Sequence, residues 1–256
     1  MQLSYSLNTA EGKSGLIAYA ANQPKTIASY NNPVDEIKFG RGVAKVSGAD
    51  GQCELPDGSG ADVLGVSVID SATEGTSYAA LSAVGVMTKG QIYVEVEEAV
   101  TSDDDVFVRH SGRAQVQTFV LDADIITGNT VSVDVDGVTI TQAFDTNHLT
   151  SITALAASIQ AEAGVSTAVV GGGGNRTITI TAAINGTDVL LENEGSTGGV
   201  SQAGIVITET VVGVANADRG LFRTDADSST ALQITQARWV QGASAGGFAI
   251  LDINLP

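Results

Sequence analysis

The chain has 256 residues, of which 43% are hydrophobic and only 16% charged, so a sizeable core is within reach and disorder is disfavoured. Its formal net charge of −17 excludes the clustered Lys and Arg of a nucleic-acid groove and disfavours anionic membrane surfaces. Aromatic residues make up 5% of the chain while glycine reaches 30 residues, a profile expected of many short strands joined by glycine turns.

Residues 1–33 have weak periodicity and contain Pro24 and Pro33. They read as an extended arm with a short strand near Leu16–Tyr19, suited to lying on a neighbouring subunit. Tyr19, Pro24, Tyr30 and Pro33 are its candidate contact residues. No basic region followed by an apolar run opens the chain, so no secretory signal is expected. From residue 34 the pattern predicts β structure. Val43 and Val46 fit one short strand, and Val63–Ile69 the next. Val84–Met87 and Ile92–Val96 read as a hairpin turning at Lys89-Gly90. Tyr93 and Glu95 fall on one side of the second strand, Val94 and Val96 on the other, as in a half-solvated antiparallel sheet. Val106–Arg109 follows.

Near Val116 the composition shifts towards Thr, Val and Gly. Thr130–Val135 and Val138–Thr141 flank Asp136-Gly137, a two-residue hairpin signal because both central positions need positive φ. Leu149, Ile152, Leu155, Ala156, Ile159 and Ala163 recur at three- and four-residue steps and predict an amphipathic helix over His148–Ala163. Asn147 or Thr150 can cap its start and Gly164 its end. Strands are expected at Val165–Val170, Thr177–Thr181, Asp188–Leu191 and Ile205–Val212. The remaining strands lie in Gly220–Pro256. The predicted architecture is mainly β: an antiparallel sandwich or barrel scaffold formed by residues 34–115 and 215–256, interrupted by a small α+β module over 116–214. Long insertions in surface loops cost little closure entropy, so a scaffold can carry one.

None of the catalytic patterns is complete. Gly242-Ala243-Ser244-Ala245-Gly246 matches G-x-S-x-G, but a strand-like segment follows it and both histidines precede it, the reverse of a nucleophile elbow. Gly171–Gly174 lacks the Lys-Ser/Thr of a phosphate loop. Asp103-Asp104-Asp105, Asp134/Asp136 and Asp225/Asp227 are oxygen-rich, yet none has the calcium-loop pattern, and solvated turns explain them. His110 and His148 lack a second histidine at zinc-ligand spacing. Cys53 is the sole cysteine, so no internal disulfide forms, and no histidine lies near it in sequence. No catalytic residue, cofactor or metal is therefore assigned. Trp239 in Ala237–Val240 reads as a core residue, with a subunit contact as the alternative.

Four segments carry a family resemblance: Phe39–Val46 (FGRGVAKV), Asp62–Asp70 (DVLGVSVID), Lys89–Gly112 around YVEVEEAV and VFVRHSG, and Gly220–Pro256 with its closing small residues and Asn-Leu-Pro strand. Together they resemble the structural cement, or capsid decoration, proteins of tailed bacteriophages. Where that family runs straight from VRH to GLFR, this chain carries the module. The resemblance implies a non-enzymatic virion protein that binds the outside of the major capsid protein lattice, forms homo-oligomers, trimers above all, and clamps adjacent capsomers. A module pointing away from the shell is then expected. The alternatives are a tail or baseplate component, and a host- or glycan-binding surface protein displayed through the module, whose only aromatics are Phe119 and Phe144.

Overall fold

The structure is a computed structural model describing residues 12–18, 25–34, 36–69, 75–198 and 204–255. It is mainly β, with several antiparallel sheets, no closed barrel and, among the described residues, one α-helix. The chain divides into two compact units, one from the described parts of 1–111 and 217–256, the other from Gly112–Asn216.

The first unit is organised around one long strand, Ala83–Glu95, in a seven-stranded sheet. The sequence predicts a hairpin at Lys89-Gly90; the structure has a continuous strand. Gly90 does take φ +128°, but each half of the strand is held by its own partners. Thr26–Asn31 pairs with the first half and Phe248–Asn254 with the second, both antiparallel. Strand pairing on both sides of Gly90 keeps the glycine within the strand, where it pairs with Ile253. Burial alternates along Ile92, Tyr93, Val94 and Glu95 as the period-two pattern requires.

Most of the described part of the N-terminal segment lies on its own chain. Ile17 bridges Ile92, with Gly15 N–H donating to Tyr93 O at 2.8 Å and Ala18 N–H to Gln91 O at 2.9 Å. Both faces of the long strand are covered. Val84 and Val86 join Ile37, Phe39, Val43, Cys53, Leu55 and Tyr78 in one cluster, where Phe39 and Tyr78 meet edge to face at 5.1 Å. Met87, Ile92 and Val94 join Trp239, Phe222, Leu251 and Ile253 in another. Close backbone approach sets some glycines here. A Cβ on Gly65 would stand 2.1 Å from Met87 O, on the neighbouring strand.

In the second unit, Asp136-Gly137 makes the predicted turn, with φ +50° and +82°. It joins Thr130–Val135 to Val138–Ala143, and Leu191–Thr197 completes a three-stranded sheet. The predicted strand at Asp188–Leu191 therefore starts late. Asp136 explains the shift: its N–H bonds to Leu190 O and its carboxylate accepts from Leu190 N–H, so this stretch is a loop tied to the hairpin turn. The other sheet has four strands in the order Val165–Gly171, Thr177–Ala182, Val116–Leu121, Ile205–Val211. Val116–Leu121 was not anticipated as a strand. Its inward residues Phe119 and Leu121 are fully buried, while Val116, Thr118 and Val120 point to the opposite, partly exposed face.

The helix His148–Gln160 starts at Asn147, whose side chain accepts from Thr150 N–H at 2.9 Å. Ile152, Leu155, Ala156 and Ile159 enter the core with Phe119, Val131, Val133 and Ile178. Leu149 fits the stripe by spacing but is exposed. Ser151 is buried instead, its hydroxyl accepting from Asp145 N–H and donating to Asn147 O.

Candidate interaction surface and the charge cluster beneath the scaffold

The sequence candidates Tyr30 and Pro33 flank one turn of the first unit. The strand Thr26–Asn31 ends beside the turn that leads into the long strand, and Asn32 joins the two. Its N–H donates to Ser82 O at 3.0 Å, and its carbonyl accepts from Leu81 N–H at 2.8 Å. Its side-chain amide donates to Ala79 O, and its side-chain oxygen accepts from Val34 N–H at 3.3 Å. Asn32 is fully buried, so a polar hub holds both turns from within. The apolar residues around it face outward: Leu81 is 84% and Val34 67% exposed. Leu81 also has φ +63°, a strained backbone for a bulky L residue. Pro33 is half-buried, and Ala79 and Ala80 are exposed beside it. Tyr30 turns back and packs on the Ile37–Phe39 cluster. The result is an apolar tip, with Leu81 and Val34 foremost.

Sequence reasoning missed Leu81 and Val34. Asn31-Asn32-Pro33-Val34 carries the Asn-Pro turn signal and so marks the loop. Nothing local distinguishes Leu81 from a strand residue, because its exposure is set by Asn32, 49 positions earlier. Trp239 is 2% exposed, its indole N–H donating to Asp105 O at 3.2 Å and its ring edge-on to Phe222 at 6.4 Å. It is a core residue of the scaffold. Tyr19 and Pro24 lie outside the described residues.

A second polar centre lies deeper. Arg109, fully buried, bonds both oxygens of Glu97 and reaches Asp227 at 2.5 Å. Arg223 approaches the same two carboxylates, Glu97 at 2.8 Å and Asp227 at 3.1 Å, and also holds Asp225 at 2.7 Å. Thr230 donates to Asp227, and Glu98 accepts from Thr224. Asp227, Ser228 and Ser229 all have positive φ, at +42°, +57° and +70°. Charge-assisted bonds to buried guanidinium groups hold this turn in a conformation that non-glycine residues avoid. Two more titratable groups of the unit, Arg41 and His110, are shifted by burial. Burial lowers the pKa of Arg41, against the pull of Glu95, Asp218 and Glu97. Burial likewise lowers the pKa of His110, opposed by a hydrogen bond to the Ser229 backbone and reinforced by Arg109. The guanidinium and carboxylate groups of Arg109, Arg223, Glu97, Asp225 and Asp227 pair with one another, a structural arrangement.

The remaining sequence candidates are accounted for by turn geometry and local hydrogen bonds. Gly242 to Gly246 connects two antiparallel strands, Ala237–Gln241 and Phe248–Asn254. A Cβ on Gly242 would stand 2.3 Å from Val100 O, and Gly246 has φ +70°, so packing and turn geometry account for both glycines. Asp104 accepts from the N–H and the hydroxyl of Thr101. Asp134 bonds Asn193, and its pKa is lowered by hydrogen bonds from Thr139 and Asn193. His148 accepts from Ile125 N–H through Nδ1 and lies near Asp124, which pairs with Arg176 at 2.8 Å.

Solved structures similar to the chain include two phage chains of similar extent. One, from the capsid of Myoviridae phage XM1, has 9% identity and a TM-score of 0.47 over 99% of this chain and 97% of that one. The other, from Mycobacterium phage Patience, has 17% identity and a TM-score of 0.44 over 98% and 99%. No curated protein matches the chain. A family model described as structural cement protein (E217 gp24/Pam3 gp6) matches residues 1–156, a span that holds the apolar tip, the long strand and Arg109 and runs into the helix of the second unit. The chain belongs to this family of phage structural cement proteins and is a structural component of the virion.

Proposed function

We propose that the chain binds the outer surface of the major capsid protein lattice and fastens adjacent capsomers, and that the apolar tip at Val34 and Leu81 is a point of attachment. The observation that carries the reading is Leu81 itself, held outward and in a strained backbone within the stretch matched by the family. A bulky residue keeps such a conformation only where the surroundings over-determine it, and exposed apolar groups on a rigid base are the anchors of interfaces. The protein acts as a homo-oligomer, a trimer matched to local threefold positions of the lattice. Its work is mechanical, with no catalytic step.

The test is to add purified protein to capsids that lack it. The unaltered chain is expected to bind, and L81D to lose binding while keeping its circular dichroism spectrum and its unfolding midpoint. Failure of the unaltered chain to add, or its appearance on the tail in a virion map, would overturn the capsid reading. Undiminished binding by L81D together with V34D would leave the capsid reading standing and remove the tip from it. Only monomer in light scattering, with no trimers on capsids, would exclude the oligomer.

A further inference from the structure

The outer face of the four-stranded sheet in the second unit has a composition unlike the rest of the chain. In register across the sheet, Val169 stands opposite Thr179, Thr179 opposite Thr118, and Thr118 opposite Thr208. The row on one side reads Gly171, Thr177, Val120, Val206, and the row on the other Thr167, Thr181, Val116, Val211. Only Thr, Val and one Gly occupy the three rows. All are half-buried or exposed, Val169 and Val206 at 59% each. The same unit, Gly112–Asn216, carries ten Asp and Glu against two Arg, and none of these charges stands in the rows.

We infer that this Thr/Val face is a self-association surface, pairing sheet to sheet with the same face of a second copy. Charge decides the occupant. Two copies that each carry a net charge of −17 repel wherever acidic surfaces meet. The rows are an uncharged area where that cost falls. A basic partner would gain nothing from a face without carboxylates, and a sugar would lack the aromatic platform it stacks on. β-Branched side chains on a pleated sheet also interdigitate with another such face at about 10 Å separation, the spacing of stacked sheets. Area sets the strength. Four strands spaced about 4.8 Å apart over some five residues give roughly 300 Å² per copy, well below the ~800 Å² per partner of a stable interface. The contact is therefore weak in dilute solution and gains weight where copies are held side by side. This inference does not rest on the capsid reading and needs no capsid to test.

Full-length T208E and T208K, at an exposed position on the edge strand, carry the first arm, measured by sedimentation velocity. Each variant alone is expected to self-associate about tenfold more weakly than the unaltered chain, because like charges then face each other, and an equimolar mixture is expected to recover. Raising salt from 0.15 to 1 M should strengthen association of the unaltered chain, since the Debye length shrinks from about 8 to 3 Å and the acidic copies repel less. The second arm is T118C with a bismaleimide of about 10 Å reach, matched to the sheet spacing. Cys53 is buried and stays silent. T118C is expected to cross-link faster than E194C, placed on the exposed face of the other sheet. Equal cross-linking rates, or T208E sedimenting like the unaltered chain, would overturn the inference. So would a T208E variant that keeps self-association and loses a glycan or capsid contact, since the face would then serve another occupant.

Discussion

Arg109 and Asp227, 118 positions apart in sequence, meet at 2.5 Å inside the first unit, on either side of the stretch that forms the second. The backbone repeats the closure: Arg109 N–H donates to Leu221 O at 2.9 Å and Gly220 N–H to Arg109 O at 2.8 Å. The scaffold is thus sealed where the chain leaves it and returns. The seal is made of charges that no water can replace, since the Arg109 side chain is wholly buried and that of Asp227 only 5% exposed.

Removing the cation should therefore cost far more than removing a surface ion pair. R109M keeps the volume and leaves Glu97 and Asp227 with Arg223 alone. A destabilisation of about 3–5 kcal/mol is expected, the range for breaking a buried pair from one side. Urea unfolding followed by tryptophan fluorescence reads it directly, because Trp239 lies in the adjoining core. A loss under about 1 kcal/mol, as for an exposed pair, would mean that the cluster is solvated.

His110 gives the fold an acid limit. Its folded-state pKa is lowered, first by burial and then by Arg109, against opposing effects of the Ser229 backbone and Asp57. The unfolded chain therefore binds this proton more readily than the folded one. The stability it contributes is complete above the unfolded value near 6.5 and falls as pH drops below it. The unfolding midpoint should decline between pH 7 and 5, and H110F should flatten that decline. An equally steep decline in H110F would assign the acid sensitivity to the carboxylates around Arg109.

Much of this was legible in sequence, and the losses have identifiable causes. The helix start, its Asn147 cap and the Asp136-Gly137 hairpin are local, set by residues within a turn of one another, and they form as read, whereas the helix ends at Gln160 with Ala161 as its C-cap instead of running to Ala163 and Gly164. Lys89-Gly90 was misread because a positive-φ glycine reverses a chain only when its flanks pair with each other. Here Thr26–Asn31 and Phe248–Asn254, distant in sequence, take the two halves. Leu149 and Ser151 exchange the burial their spacing suggests because Ser151 can satisfy its hydroxyl against Asn147 and Asp145. The apolar tip and the Arg109 cluster were invisible for the same reason as the long strand: both join segments that only the fold brings together.

Cys53 should be chemically silent in the native protein. It is fully buried, and burial with the nearby Glu54 pushes its thiol pKa up to about 11. At pH 8 the thiolate that would react is scarce as well as enclosed. A disulfide reagent should label no thiol in buffer and one per chain in 6 M guanidinium. Labelling at native conditions on the time scale of a free thiol would show that the Ile37–Tyr78 cluster opens.

At Leu81 stability and attachment should part. Asn tolerates the left-handed backbone better than Leu, and at 84% exposure little apolar burial is lost. L81N should raise unfolding free energy by about 1 kcal/mol, the lower end of the strain held at such positions. The same variant should bind capsids less well, since it lacks the anchor. A gain in stability with capsid binding unchanged would make the strain incidental.

The second unit should be removable. Its two ends are tied to each other: Arg113 and Val214 exchange reciprocal backbone hydrogen bonds at 2.8 and 2.7 Å, and Gly112 N–H donates to the Asn216 side chain at 2.9 Å. Its core is its own, with Phe119, Val133, Ile152, Leu155 and Ile178 all fully buried among residues of the same unit. The first unit closes independently through Arg109, Gly220 and Leu221. Replacing Gly112–Asn216 by a short Gly/Ser linker between Ser111 and Ala217 should leave a scaffold that unfolds cooperatively. The shorter loop should favour it slightly, by about 1–2 kcal/mol on logarithmic scaling. Thermal unfolding and addition to undecorated capsids check both halves of the expectation. A deletion variant that fails to fold would show that the two units share stability. One that folds without binding would move the attachment surface from the tip at Leu81 to the second unit. If it folds and binds but no longer associates at high salt, attachment resides in the scaffold and association in the Thr/Val face.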